Sequence, residues 1–142
     1  MITEIDAGRI VYELLSFMEM ERRLKGHLKT GTLVGERPMV GETVPTDGMI
    51  VILPKTMSAD KTYFNGCTIE VNVLMKDLEG ETNPSLNEKL RRILLELGDG
   101  VVSESDGTWY RITVRSHGIE EESRMKCHFA NITMYFETLN VR

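Results

Sequence analysis

Several features that mark particular classes of protein are rare or absent in this sequence. It has only two cysteines, Cys67 and Cys127, far apart in strand-like segments. This excludes a disulfide framework and a paired zinc-knuckle spacing, so we expect two reduced, buried thiols. Its longest apolar runs, such as Met49–Leu53, are far shorter than the roughly 20 residues that span a bilayer. We therefore expect no membrane span.

Positive charge is also in short supply. The chain has 17 Lys and Arg against 22 Asp and Glu, a formal net charge of −5. A protein that binds the phosphate backbone generally needs a basic stripe, so no specific nucleic-acid binding is expected. The first residues carry Glu4 and Asp6 where a secretory signal peptide has basic residues, so we expect no export signal.

Short motifs of the common enzyme classes are missing. The sequence has no GxGxxG, GxxxxGK[ST], HExxH, GxSxG or CxxC, which removes the usual support for dinucleotide, P-loop, zincin, nucleophile-elbow and redox chemistry. We expect a protein that is not an enzyme, with no catalytic or cofactor-binding residues and no cofactor.

Metal binding has one weak candidate, the acidic loop with Asp77, Glu79 and Glu81. Its glycine spacing does not fit an EF-hand, no bidentate Glu follows at the twelfth position, and a strand precedes it. The three histidines, His27, His117 and His128, are far apart, and no carboxylate partner is indicated for any of them. We therefore expect no metal site.

What is present indicates one globular domain over residues 1–142. The composition is 41% hydrophobic and 27% charged, in the ordinary range for folded domains. No internal repeat, low-complexity tract or linker divides the chain.

A long N-terminal helix is predicted over residues 3–29. Thr3 is a plausible N-cap, with Asp6 in the capping-box position. Apolar residues recur at helical spacing: Ile10, Leu14, Phe17, Met18, Leu24 and Leu28.

Residues 30–48 are rich in Gly, Thr, Val, Pro and Glu, which predicts a long loop that contains a short edge strand. Pro38 and Pro45 are incompatible with a central strand. A loop of this length is uncommon without a function, so the segment is a candidate contact arm.

Two strands and a helix are predicted next. The strands cover residues 49–54 and 63–76, and in the second an apolar set alternates with a mostly polar one. The helix covers residues 84–97, with Asn83 as N-cap, Pro84 in the first position and Gly98 as the stop. Its apolar face comprises Leu86, Leu90, Ile93, Leu94 and Leu97.

Two further strands are predicted at 108–116 and 125–139, joined by a polar segment at 117–123. In the first, an apolar face alternates with one that carries Arg111 and Arg115. In the second, Cys127 and Phe129 have the opposite parity to the main apolar face, which indicates a bulge or burial on both faces. The order of elements predicts an α+β fold: a mixed or antiparallel β-sheet with the long N-terminal helix and a second short helix packed on it.

The charges of the last two strands allow two interpretations. Glu120, Glu121 and Glu122 form an acidic tip beside Arg111 and Arg115. One interpretation is a solvated hairpin with charge pairs across its strands. The other is that opposite charges steer identical subunits into a head-to-tail ring.

The whole pattern resembles the tail terminator, or minor tail completion, proteins of long-tailed bacteriophages and prophages of the lambda and HK97 type. The resemblance rests on the amphipathic N-terminal segment, the Pro/Gly-rich arm, the strand TIEVNVLMKD, the helix start NPSLN followed by KLRRILLEL, and the closing HFANITMYFETL. It extends over nearly the entire chain and is architectural, because no residue motif defines the family.

The resemblance implies a virion structural protein without catalysis. It implies a hexameric ring that ends growth of the tail tube and joins the tail to the head, with the tail-tube protein and a head-completion or connector protein as partners. The resemblance is compatible with a free subunit that is a monomer in solution before the ring assembles. It would be found in the host cytoplasm during assembly and then in the neck of the virion. By analogy, subunit contacts are expected at Glu36, Arg37, Glu42, Asp47, Arg111, Arg115, Glu120, Glu121 and Glu122.

Three alternatives remain open. One is a head-tail connector or neck protein, which belongs to the same structural class. Another is a small-ligand-binding or enzymatic α+β domain with a site formed by His128, Arg111 and Glu70 on one sheet face. The third is a protein-interaction module of a mobile element.

Overall fold

The structure, a computed structural model, describes residues 1–20, 27–28, 44, 48–58 and 64–139. Helix α1 covers Glu4–Met20, and helix α2 covers Pro84–Leu97. The strands are β1 (His27–Leu28), β2 (Met49–Pro54), β3 (Phe64–Lys76), β4 (Val101–Ser105), β5 (Thr108–Glu122) and β6 (Cys127–Leu139). No helix in these ranges is both long and apolar enough to cross a membrane.

These strands form a single sheet in the order β1-β2-β3-β6-β5-β4. The five strands from β2 to β4 in this order pair antiparallel, and the two residues of β1 pair parallel with β2 at one edge. The longest ladder joins β3 and β6 without a register shift, from Phe64 opposite Leu139 to Lys76 opposite Cys127. This ladder is the centre of the sheet.

The predicted fold class is wrong. Of the residues that the structure describes, 51% are in strands and 30% in helices, and both helices are short, so the predicted long N-terminal helix is not part of the fold. Helix α1 ends by Met20 in the described structure, and His27 and Leu28 pair with Met49 and Ile50 as a strand. Gly26 directly precedes this strand, and a glycine inside a helix costs about 1 kcal/mol relative to alanine. These two residues pair with β2 as an edge strand instead.

The predicted start of α1 is confirmed, and its predicted buried face is only partly right. The Asp6 amide donates to Thr3 Oγ1 (3.3 Å), and the Thr3 amide donates to Asp6 Oδ2 (3.0 Å), which is a reciprocal capping box. The buried face comprises Ala7, Ile10, Val11 and Leu15. Phe17, which belongs to the apolar set at helical spacing, is 53% exposed.

The main core lies between the two helices and one face of the sheet, here called the helix-side face. The predicted alternation in β3 is confirmed, because Cys67, Ile69, Val71, Val73 and Met75 are all buried there. Helix α2 has the predicted bounds and contributes Leu86, Leu90, Ile93 and Leu97 to this core. Asn83 Oδ1 accepts from the Ser85 amide at 3.0 Å, as expected of an N-cap.

The opposite face of the sheet, here called the outer face, is also partly buried. A second cluster comprises Val44, Met49, Val51, Leu53, Leu74 and Cys127. The prediction that the second face of β3 is mostly exposed to solvent is therefore wrong at Asn72 and Leu74, which are 3% and 6% exposed. The parity of Cys127 and Phe129 in β6 reflects burial on both faces, because the β3–β6 register is continuous.

The C-terminal strands differ most from the prediction. Strand β4 was not predicted, and β5 continues to Glu122 instead of ending at 116. Asp106 and Gly107 turn β4 into β5 with positive φ angles of 50° and 80°, which is the two-residue hairpin geometry that Asp-Gly favours. A register shift between Val114 and Ser116 interrupts the alternation of β5, which obscured the second half of the strand in the sequence.

Candidate functional site

Strand β5 extends well beyond the neighbour that covers its start. Strand β4 pairs only with residues 108–112, whereas β6 pairs with β5 as far as Glu122. Within the part of the chain that the structure describes, no strand pairs with residues 113–122 on the edge that faces away from β6. This unpaired edge is here called the free edge. Residues 115–121 are all exposed. An unpaired strand edge of this kind is a template for another strand.

The β-bulge in this strand gives Arg115 a defined position on the outer face. Its guanidinium carbon lies 4.1 Å from the centroid of the Tyr135 ring, in a cation–π contact. The hydroxyl end of Tyr135 lies over Gly66, where any Cβ would overlap the tyrosine hydroxyl. Gly66, Tyr135 and Arg115 therefore form one stack across β3, β6 and β5.

The acidic residues lie in the strand and not in a loop at its tip. Glu120, Glu121 and Glu122 are opposite Phe129, His128 and Cys127 of β6. Neither Arg111 nor Arg115 forms an ion pair with an acidic side chain among the described residues. The expected charge pairs across the hairpin are therefore not formed.

Two apolar side chains are exposed at the β4–β5 corner. Trp109 is 54% exposed and Val102 is 65% exposed. Together with Leu139 and the charged residues Arg111 and Glu137 they line a shallow cavity of about 250 Å³, here called the corner patch. Arg111 is directly opposite Glu137 in the β5–β6 register. An exposed tryptophan with a neighbouring arginine is the composition enriched at protein interfaces.

The Asp77–His128 pair was missed by the sequence analysis, which found no carboxylate partner for any histidine. The His128 Nδ1 and Asp77 Oδ1 atoms are 2.7 Å apart, and their side chains are 19% and 12% exposed. Asp77 follows β3 and His128 lies near the start of β6, so the pair joins the two central strands at one end. The sequence separation of the two residues left no local pattern to find.

The acidic loop after β3 is a tight reversal. Leu78 and Glu81 exchange backbone hydrogen bonds of 2.9 Å, and Glu79 has a φ of 52°. Asp77, the first carboxylate of the loop, is engaged by His128. Over the described ranges, no group of three or more His, Cys, Asp or Glu residues is placed to hold a metal ion.

Both cysteines are free and buried, as predicted. Burial raises the thiol pKa of Cys67 to about 11, with a further rise from Glu4. Burial also raises that of Cys127 to about 11, with further rises from Asp77 and Glu122. Since the thiolate is the reactive form, neither residue is prepared for nucleophilic chemistry.

The site considered for a ligand-binding domain is not assembled. His128 belongs to the helix-side face, whereas Arg111 and Glu70 belong to the outer face. Arg111 is opposite Glu137, roughly 30 Å along β6 from His128 at about 3.3 Å per residue. Glu70 pairs with Lys55 at 3.3 Å.

The residues predicted to form subunit contacts fall into two groups. Glu36, Arg37, Glu42 and Asp47, together with the 30–48 arm except Val44 and Gly48, lie outside the described residues. Arg111 belongs to the corner patch, and Arg115, Glu120, Glu121 and Glu122 belong to the free edge.

A scan against protein-family models, a search of curated proteins and a search of solved structures each give no match to this chain.

Proposed function

We propose that this protein is a structural subunit of a phage or prophage tail, a tail terminator that forms a hexameric ring. The ring ends growth of the tail tube and joins the tail to the head. The proposal comes from the order of elements in the sequence, and it rests on the segments after the N-terminal one, because the predicted long N-terminal helix is not part of the fold. The observation in the structure that supports it best is the corner patch, where Trp109 and Val102 are exposed beside Arg111.

The corner patch suits a contact between unlike surfaces. A large aromatic ring contributes apolar contact area, and Arg111 and Glu137 add directional polar groups at its margin. A ring requires each subunit to present this patch to a different surface of its neighbour, because head-to-tail contacts close when the rotation between subunits permits. We place the patch in that contact.

The proposed ring has two further partners. One ring face contacts the tail-tube protein, and the other contacts a head-completion or connector protein. Assembly takes place in the host cytoplasm, and the finished ring lies at the neck of the virion. The role requires no cofactor and no catalytic group.

Ring formation by purified protein tests the proposal. Negative-stain electron microscopy with the tail-tube protein should show six-membered rings for the wild type and a loss of rings for Trp109→Ser. Leu95→Ser is the matched control, because Leu95 is 73% exposed on α2 and lies outside the patch. Rings that persist in Trp109→Ser, or that are lost equally in Leu95→Ser, would remove the patch from the contact. A wild type without rings in the presence of tube protein would contradict the proposal itself.

A further inference from the structure

We propose that two copies of this chain pair through their free edges, antiparallel and about a two-fold axis near Gly118. The contact extends the sheet across both copies. It is additional to the ring contact, because a two-fold contact uses the same surface on both copies and cannot by itself close a six-membered ring. This pairing joins free subunits in solution, before a ring forms.

The free edge offers a continuous row of backbone groups for this pairing. Strand β4 pairs with residues 108–112 on this edge of β5. No described strand pairs with the backbone N–H and C=O groups of residues 113–122 on the same edge. A β5 strand from a second copy would continue that row where β4 leaves it. Strand addition of this kind obtains its affinity from main-chain hydrogen bonds.

The charges along β5 identify a second copy as the partner. The first half of the strand carries Arg111 and Arg115, and the end carries Glu120, Glu121 and Glu122. With Gly118 on the axis, antiparallel pairing of two identical strands brings Arg115 of each copy against Glu120–Glu122 of the other, whereas Arg111 lies beside β4 and outside the contact. Parallel pairing would instead oppose like charges, which is destabilising.

The faces of the strand fix the register more closely. Ser116, Glu120 and Glu122 share the outer face, since they are opposite Thr133, Phe129 and Cys127. Arg115 is on that face as well, over the Tyr135 ring. With Gly118 on the axis, Glu120 faces Ser116 of the second copy, and its Arg115 lies between Glu120 and Glu122.

Two residues near the axis suit close pairing. A Cβ at Gly118 would meet nothing within 4 Å, so no described residue covers the outer face of the strand at the axis. Ile119 is 42% exposed on the helix-side face. In the pair it lies opposite His117 of the second copy and becomes covered.

Sedimentation equilibrium of the full chain, alone and without tube protein, tests the pairing. The wild type should show a monomer–dimer equilibrium. Glu120→Arg with Glu122→Arg should raise the dimer dissociation constant by about tenfold or more, since like charges then face each other. The matched control, Glu79→Arg with Glu81→Arg, makes the same charge change on the exposed loop after β3 and should leave the constant unchanged.

Charge reversal and salt give two independent measurements. Adding Arg115→Glu to Glu120→Arg and Glu122→Arg restores opposite charges across the axis and should recover most of the lost affinity. Raising NaCl from about 0.1 M to about 1 M shortens the screening length from roughly 10 Å to roughly 3 Å and should weaken the wild-type dimer.

A wild type that stays monomeric up to high concentration would overturn the pairing. So would a dimer that Glu120→Arg with Glu122→Arg and its loop control weaken equally, or one that Arg115→Glu fails to restore. Rings with tube protein in the absence of a dimer would reject this inference and leave the proposed function standing. A dimer that forms no rings with tube protein would support this inference and contradict the proposed function.

Discussion

At the scale of single residues, Tyr135 links three neighbouring strands on the outer face of the sheet. Its hydroxyl end lies over Gly66, and its ring contacts the guanidinium of Arg115. The sequence shows none of these contacts, because Gly66, Arg115 and Tyr135 belong to three strands. Only the register of the folded sheet brings them together.

Gly66→Ala should destabilise the protein by about 1–3 kcal/mol, because the new methyl group overlaps the Tyr135 side chain. Urea unfolding monitored by circular dichroism measures the change. In a Tyr135→Ala background the same substitution should cost much less. An equal cost in both backgrounds would show that the tyrosine does not occupy this space.

The two buried cysteines predict a pH dependence at the alkaline end. Their pKa values are raised from 9.0 to about 11 in the folded protein, so folding favours the protonated thiols. The stability from this source is fully present below pH 9.0, and it is lost as the pH rises from there towards about 11.

Thiol labelling in native buffer and in urea, together with unfolding curves across that pH range, measures both effects. Labelling should be slow in the folded state and fast after unfolding. Cysteines that react rapidly in the native protein would contradict their burial.

At the scale of secondary structure, local capping chemistry was the most dependable guide. Asn83, Pro84 and Gly98 predicted α2 with its observed bounds, because each residue acts within its own turn. The prediction of α1 was too long, because the apolar spacing continues past Gly26. Pairing with β2 makes His27 and Leu28 a strand instead. Strand β4 was missed although Asp106-Gly107 is a strong hairpin indication.

Leu90→Ala should lower the free energy of unfolding by about 2–5 kcal/mol, because Leu90 is 6% exposed on the buried face of α2. Thermal or urea unfolding measures this loss. Leu95→Ala, on the exposed side of the same helix, should change stability little. Equal effects of the two substitutions would show that the helix is rotated from the position described.

The Thr3–Asp6 capping box should contribute about 1 kcal/mol, which Thr3→Ala would remove. The Asp6 pKa lies below its usual 3.8, first because the Thr3 backbone amide donates to the carboxylate. The ionised form is therefore favoured by folding, so its contribution is present above pH 3.8 and is lost as the pH falls below that value. Unfolding curves of wild type and Asp6→Asn should converge in acid. A constant difference down to low pH would contradict this role of the carboxylate.

At the scale of the whole molecule, the sheet uses its two faces and its edges differently. The helix-side face forms the main core, and the outer face is buried at the β2–β3 end and open towards β5. The corner patch and the free edge both lie at the β4–β5 side. Alternating apolar residues predicted the core face of the sheet. Neither surface followed from the sequence, because both depend on how far β4 and β6 cover β5.

If this protein ends tail-tube growth, as we propose, the length distribution of assembled tubes depends on its presence. Tail-tube protein should polymerise in vitro without a fixed end, and adding this protein should stop growth and leave a six-membered ring on the tube terminus in electron micrographs. Tubes that keep the same length distribution and carry no terminal ring, at any ratio of the two proteins, would contradict the account.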